Sequence, residues 1–108
     1  MAIDIKAILK QLEDGVVDLA KSKFKGLTKQ ATADGKKLLS TIKEDLARWT
    51  RLLAEGLITK AEFETLLVGQ KDLIEMSALK QAGLTLVKID EFKDGIFNLI
   101  TDTVTGLI

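Results

Sequence analysis

The stretch Leu46–Leu67, LARWTRLLAEGLITKAEFETLL, constrains this chain more than any other. It reads as one helix ending, a sharp turn, and a second helix beginning. Gly56 supplies the left-handed residue that closes a helix, a conformation only glycine adopts without steric penalty. Thr59 can cap the next helix by accepting from the amide of Glu62, while the Glu62 carboxylate accepts from the amide of Thr59. That reciprocal pattern is a capping box. Ile58 and Phe63, on either side of it, are spaced as a hydrophobic staple. A chain holding this turn must set two helices antiparallel.

The flanking sequence also carries helical patterning. Ile5, Ile8, Leu9, Leu12, Val16, Leu19, Ala20 and Phe24 predict a first helix over about 2–25. An eleven-residue period then runs through Ile5, Val16, Leu27, Leu38 and Trp49, and through Leu9, Ala20, Ala31, Ile42 and Leu53. It keeps one face aligned along a nearly straight helix. Three readings of the next segment stay open: a break at Gly26 before Thr28, a break at the turn dipeptide Asp34-Gly35, or one helix of about 50 residues. The second helix therefore starts at 28 or 36 and ends at 55. A third is predicted over 59–82, with Phe63, Leu66, Leu67, Leu73, Ile74, Met76 and Leu79 giving it a wide apolar face, and Gly83 closing it. Leu84 to Ile89 is β-branched enough to be extended, but Leu86, Ile89, Phe92, Ile96 and Ile100 share a helical face, so a fourth helix is expected over 85–105.

The two ends resemble each other at an offset of 80, with identities at Asp14/Asp94, Gly15/Gly95, Leu19/Leu99, Gly26/Gly106 and Leu27/Leu107. Shared helical constraint and chance account for this; a sharper reading makes Gly15 and Gly95 close-packing points against the same partner surface.

The chain has neither proline nor cysteine nor histidine, and 46% of its 108 residues are hydrophobic. The lack of proline suits long helices. Without His or Cys no nucleophile–base pair can be built, and zinc and di-iron sites lose their usual ligands. The carboxylate pairs Asp14/Asp18 and Asp90/Asp94 read as solvated helix faces. No glycine-rich phosphate loop is present. The reading is therefore non-enzymatic, with no cofactor, no metal and no small-molecule substrate.

Sixteen basic and sixteen acidic side chains cancel, which removes any general pull toward nucleic acid. Their distribution is uneven. Residues 1–54 hold eleven Lys/Arg against seven Asp/Glu, and residues 55–108 hold five against nine, so the halves stand at +4 and −4. Packing of one half on the other would let the signs complement. Lys21, Lys23, Lys25, Lys29, Lys36 and Lys37 are the candidates for phosphate or headgroup contact, although no arginine accompanies them. The apolar end offers Ile96, Phe97, Leu99, Ile100, Val104, Leu107 and Ile108 to a core, a second subunit or a membrane interface. No leader pattern opens the sequence and no apolar run is long enough to span a bilayer, so a cytoplasmic location is expected, with peripheral membrane association as the variant.

The hairpin pattern L-x-x-W-x-x-x-L-x-x-G-L-I-T-x-x-E-F, from Leu46 through Trp49, Leu53, Gly56, Ile58, Thr59 and Glu62 to Phe63, resembles the SHOCT (short C-terminal) domain. It covers about a fifth of the chain. The resemblance implies a bacterial origin and a packing or assembly role, and it brings no catalytic residues. This match lies mid-chain and inside longer helices, unlike the appended terminal module.

The sequence thus predicts a single all-α domain, an antiparallel bundle of three or four long helices with short connections. Its expected role is helix-mediated interaction, with a second copy as the foremost partner. A peripheral membrane- or lipid-binding protein is the alternative.

Overall fold

The computed structural model describes residues 4–107. It is all-α: α1 (Ile5–Lys23), α2 (Thr28–Ala54), α3 (Lys60–Lys71), α4 (Ser77–Gln81) and α5 (Leu86–Leu107). The long helices α1, α2, α3 and α5 form an antiparallel bundle in which α1 packs on α2 and α5, and α3 packs on the same two helices. Short α4 lies against α2 and α5. The core follows the inward stripes, from Leu12 and Val16 through Leu38, Ile42 and Leu46 to Phe63, Phe92, Ile96 and Ile100, all fully buried. Burying a side chain of this size contributes about 1.5–3 kcal/mol.

Helix ends explain the connections. Asp4 caps α1 by accepting from the amide of Ala7 at 3.1 Å. At the α2–α3 turn Gly56 has φ +74°, and the Leu57 and Gly56 amides donate to the Leu52 and Leu53 carbonyls, closing α2 in a Schellman motif. Thr59 and Glu62 then make both bonds of the capping box, at 3.1 and 2.9 Å. Gly83, at φ +90°, ends α4 with the same pair of bonds, from Leu84 and Gly83 to Leu79 and Lys80. Thr85 accepts from the amide of Lys88 at 3.3 Å as α5 begins.

The structure chooses among the readings left open for the first break. It falls at Phe24–Leu27, around Gly26 as one of them had it, where the Thr28 hydroxyl donates back to the Phe24 carbonyl at 2.8 Å. Asp34-Gly35 is not a turn but lies buried inside α2. Gly35 is there because Val16 of α1 occupies the space a β-carbon would need. Asp34, only 4% exposed, accepts from the amides of Ala78 and Leu79 at 3.1 and 2.8 Å, so it caps α4 from another helix.

The predicted third helix is likewise interrupted, between Asp72 and Met76. Lys93, 8% exposed, donates from Nζ to the carbonyl of Lys71, the last residue of α3, at 3.3 Å. With α3 terminated by Lys93 and α4 started by Asp34, the link between them turns Ile74 and Met76 inward and leaves Leu73 in solvent. Residues 86–90 are helical, as the stripe predicted.

Candidate interaction surfaces

The reciprocal contact of α1 and α5 accounts for the resemblance between the chain ends. A β-carbon on Gly15 would sit 2.7 Å from Leu99 Cδ2, and one on Gly95 would sit 3.1 Å from Leu19 Cδ2. Each glycine therefore receives the leucine that lies four residues beyond the other. The close-packing points face each other rather than a common partner.

The apolar C-terminal stripe is spent on the core. Ile96, Phe97, Ile100 and Val104 are buried, and Leu99 is half-buried over Gly15. Leu107 is exposed, while Ile108 lies outside the described residues. Ile96, Phe97, Ile100 and Val104 cannot serve a partner without opening the bundle, which corrects their reading as a presented surface. The physical reason is that α5 touches α1, α2, α3 and α4, so its wide stripe is covered by the chain itself.

The six lysines remain outside. Lys21 and Lys23 end α1, Lys25 sits in the turn, and Lys29, Lys36 and Lys37 lie along the start of α2, all exposed. Among the described residues there are two ion pairs. Arg48–Asp45 is local to α2, and Lys71 Nζ–Asp94 Oδ1, at 2.8 Å, joins α3 to α5. Neither connects the basic half to the acidic half, so the opposite charges of the two halves are not paired off inside the molecule. The hydrogen bond to Asp94, reinforced by the carboxylates of Asp94, Asp90 and Asp72, holds the Lys71 ammonium above its ordinary pKa of 10.5 against the opposing effect of burial.

The turn residues Gly56, Ile58, Thr59, Glu62 and Phe63 occupy the positions expected of them, with Phe63 buried and Ile58 packed against the core. On the outer face of this hairpin, Ile58, Ala61, Glu62, Thr65 and Leu66 line an open recess of about 490 Å³. A second recess of about 310 Å³ runs between α3 and α5. Thr65 lines the first and Thr101 the second, and among the described residues no three Asp or Glu side chains come together as a metal site would require. No helix among them is long and apolar enough to cross a membrane.

Sequence reasoning missed Asp34 and Lys93, the two buried charges that cap neighbouring helices. A signal was present: Asp34 falls on the stripe of Ala31 and Leu38, and Lys93 on that of Ile89, Ile96 and Ile100. A charged residue on an inward stripe must find a partner there. Comparison of the chain with family models, curated proteins and solved structures finds no match.

Proposed function

We propose that this protein is a non-catalytic helical interaction module that associates with itself. The observation that carries the reading is the unpaired charge asymmetry: a neutral chain with a basic half and an acidic half, and no ion pair joining them among the described residues. Two copies offer each other the complementary sign, and a second copy is a partner always at hand. Exposed aliphatic side chains at Leu57, Leu66, Val68 and Leu73 add apolar contact area outside the core. The local resemblance of the α2–α3 hairpin to the SHOCT domain points toward assembly as well.

The burial of the C-terminal stripe takes away the apolar face on which lipid binding would depend. Sedimentation velocity over a wide concentration range, at low and high salt, tests the proposal. A larger species that dissociates on dilution and with added salt is expected; a monomer at every concentration refutes self-association. Flotation with anionic liposomes at low salt, without recovery of protein in the lipid fraction, is the expected companion result.

A further inference from the structure

Resting on that self-association reading, we infer that two copies meet about the first turn of α5, in a two-fold pairing that sets the basic end of α1 against the acidic link after α3. The first turns of α5 lie between these two segments. On one side Lys23 and Phe24 of α1 share a small recess with Lys88, Glu91 and Phe92, and the rings of Phe24 and Phe92 meet edge-on at 5.0 Å. On the other side the end of α3 is tied down through Lys71–Asp94 and the Lys93–Lys71 carbonyl bond.

At this end the three most exposed large apolar side chains among the described residues occur: Leu73 at 75%, Leu86 at 71% and Val87 at 68%. Leu86 continues the inward stripe of Ile89, Lys93 and Ile96, yet it stands exposed. Its exposure marks where the bundle stops before the helix does. Single exposed leucines need no explanation, but Leu86 and Val87 adjoin on the first turn of α5, Leu73 lies two residues past the Lys71–Asp94 tie to the same helix, and these three make the apolar centre of the proposed contact.

The charges beside this centre are sorted by sign on balance. Lys21, Lys23, Lys25 and Lys88, with Glu91 among them, stand on the α1 side; Asp72, Glu75, Asp90 and Asp94, with Lys71 among them, stand on the α3 side. Apart from Lys71 and Asp94, which pair with each other, all are exposed and none takes part in an ion pair among the described residues. A two-fold axis through the apolar centre would bring each basic edge onto the acidic edge of the other copy. A polyanion or an anionic bilayer laid over the same end would meet the carboxylates as well as the lysines. The second copy is therefore the occupant this arrangement fits.

The two short extents of the body are 23 and 19 Å, so its end offers less than the roughly 800 Å² per partner of a standard interface. Association is accordingly weak, and salt-sensitive, because exposed charges are screened beyond about 8 Å at physiological ionic strength.

The experiment is a charge-reversal exchange read by sedimentation velocity, with circular dichroism to confirm that helicity is kept. Lys23→Glu/Lys25→Glu and Asp72→Lys/Glu75→Lys are each expected to weaken homodimerisation at least tenfold, and an equimolar mixture to restore dimer to wild-type affinity or better. If the wild type dimerises and both variants dimerise as it does, or if mixing restores nothing, this interface is wrong while self-association stands. Loss of the dimer on Leu66→Asp, with both charge variants unaffected, would move the contact to the recess beside α3. A wild type that stays monomeric at millimolar concentration would overturn the self-association reading itself.

Discussion

Gly35→Ala is the substitution on which the packing argument depends most. Glycine inside a helix costs about 1 kcal/mol relative to alanine, so propensity alone predicts stabilisation. The structure predicts the opposite. A β-carbon at residue 35 would overlap Val16 Cγ1, with Val16 Cβ at 3.6 Å and Ile96 Cδ1 at 3.5 Å closing off the directions of escape. Val16 is fully buried and β-branched, so its methyl cannot swing aside at low cost, and the helices must part by roughly 1 Å to restore contact distance. Overpacking of this kind costs about 1–3 kcal/mol, and the absence of a flexible neighbour puts the site near the upper end. Net of the propensity gain, Gly35→Ala should lose about 2 kcal/mol, or about 8–15 °C in Tm for a domain of this size. Urea and thermal melts at fixed protein concentration, followed by far-ultraviolet circular dichroism, measure it. Gly69→Ala is the control, since beyond its own helical turn nothing described lies within 4 Å of its added β-carbon, and it should gain up to about 1 kcal/mol. The decisive comparison is a double-mutant cycle with Val16→Ala, which removes the obstructing methyl. In that background Gly35→Ala should become neutral or stabilising, a coupling of about 2–3 kcal/mol. An equal loss in both backgrounds, or a raised Tm in the wild type, refutes the close-approach account.

Four further outcomes follow from named contacts. Asp34→Ala should cost about 2–4 kcal/mol by urea denaturation, because it leaves two amides of α4 without their charged acceptor. Thr50→Val should raise stability by about 1 kcal/mol, because the buried Thr50 hydroxyl has no partner and valine matches its volume. Gly56→Ala should cost about 1 kcal/mol, since φ +74° is strained for any residue with a β-carbon; an unchanged Tm would contradict the turn geometry. Because Asp94 raises the Lys71 pKa in the folded state, the pair's stabilisation is complete below the ordinary value of 10.5 and fades as pH rises through the folded one. Asp94→Asn should flatten that alkaline loss in pH-dependent melts and cost less than about 1 kcal/mol at neutral pH, since the aspartate is largely exposed.

What could be read from the sequence was whatever the chain settles locally. Gly56, Thr59 and Glu62 make bonds within three to five residues, so the hairpin is written in adjacent letters. The ends of α3 and α4 are decided elsewhere. Lys93 reaches back across 22 residues to a carbonyl, and Asp34 reaches forward across 44 to an amide, so no local pattern announces the break at Asp72–Met76. Asp34-Gly35 resembles a turn because both residues suit turns in isolation; one is instead a remote cap and the other a close-packing point. The offset-80 identities were visible as letters, but that Gly15 meets Leu99 while Gly95 meets Leu19 depends on α1 and α5 running antiparallel. Of the candidate surfaces, the lysines stay exposed as their spacing implied, whereas the C-terminal stripe is covered by neighbours that only the fold supplies.

The interrupted third helix links the interior to the proposed interface. If residues 59–82 formed one helix, Asp34 would have no helix start to cap. That buried charge would then be unmatched, a penalty of several kcal/mol, which exceeds the cost of breaking a helix at five residues. The Lys71 carbonyl, at the end of α3, accepts from both the Ile74 amide and Lys93 Nζ at 3.3 Å. The break that satisfies Asp34 also turns Leu73 outward beside Asp72 and Glu75. Interior electrostatics thus determines which apolar side chain reaches the surface and which charges flank it. Leu73 makes no demand on the core, so Leu73→Gln should leave the melting curve of dilute protein unchanged while weakening association at high concentration. A Tm that falls in dilute solution would mean that Leu73 supports the fold, and the exposed link would lose its place in the interface.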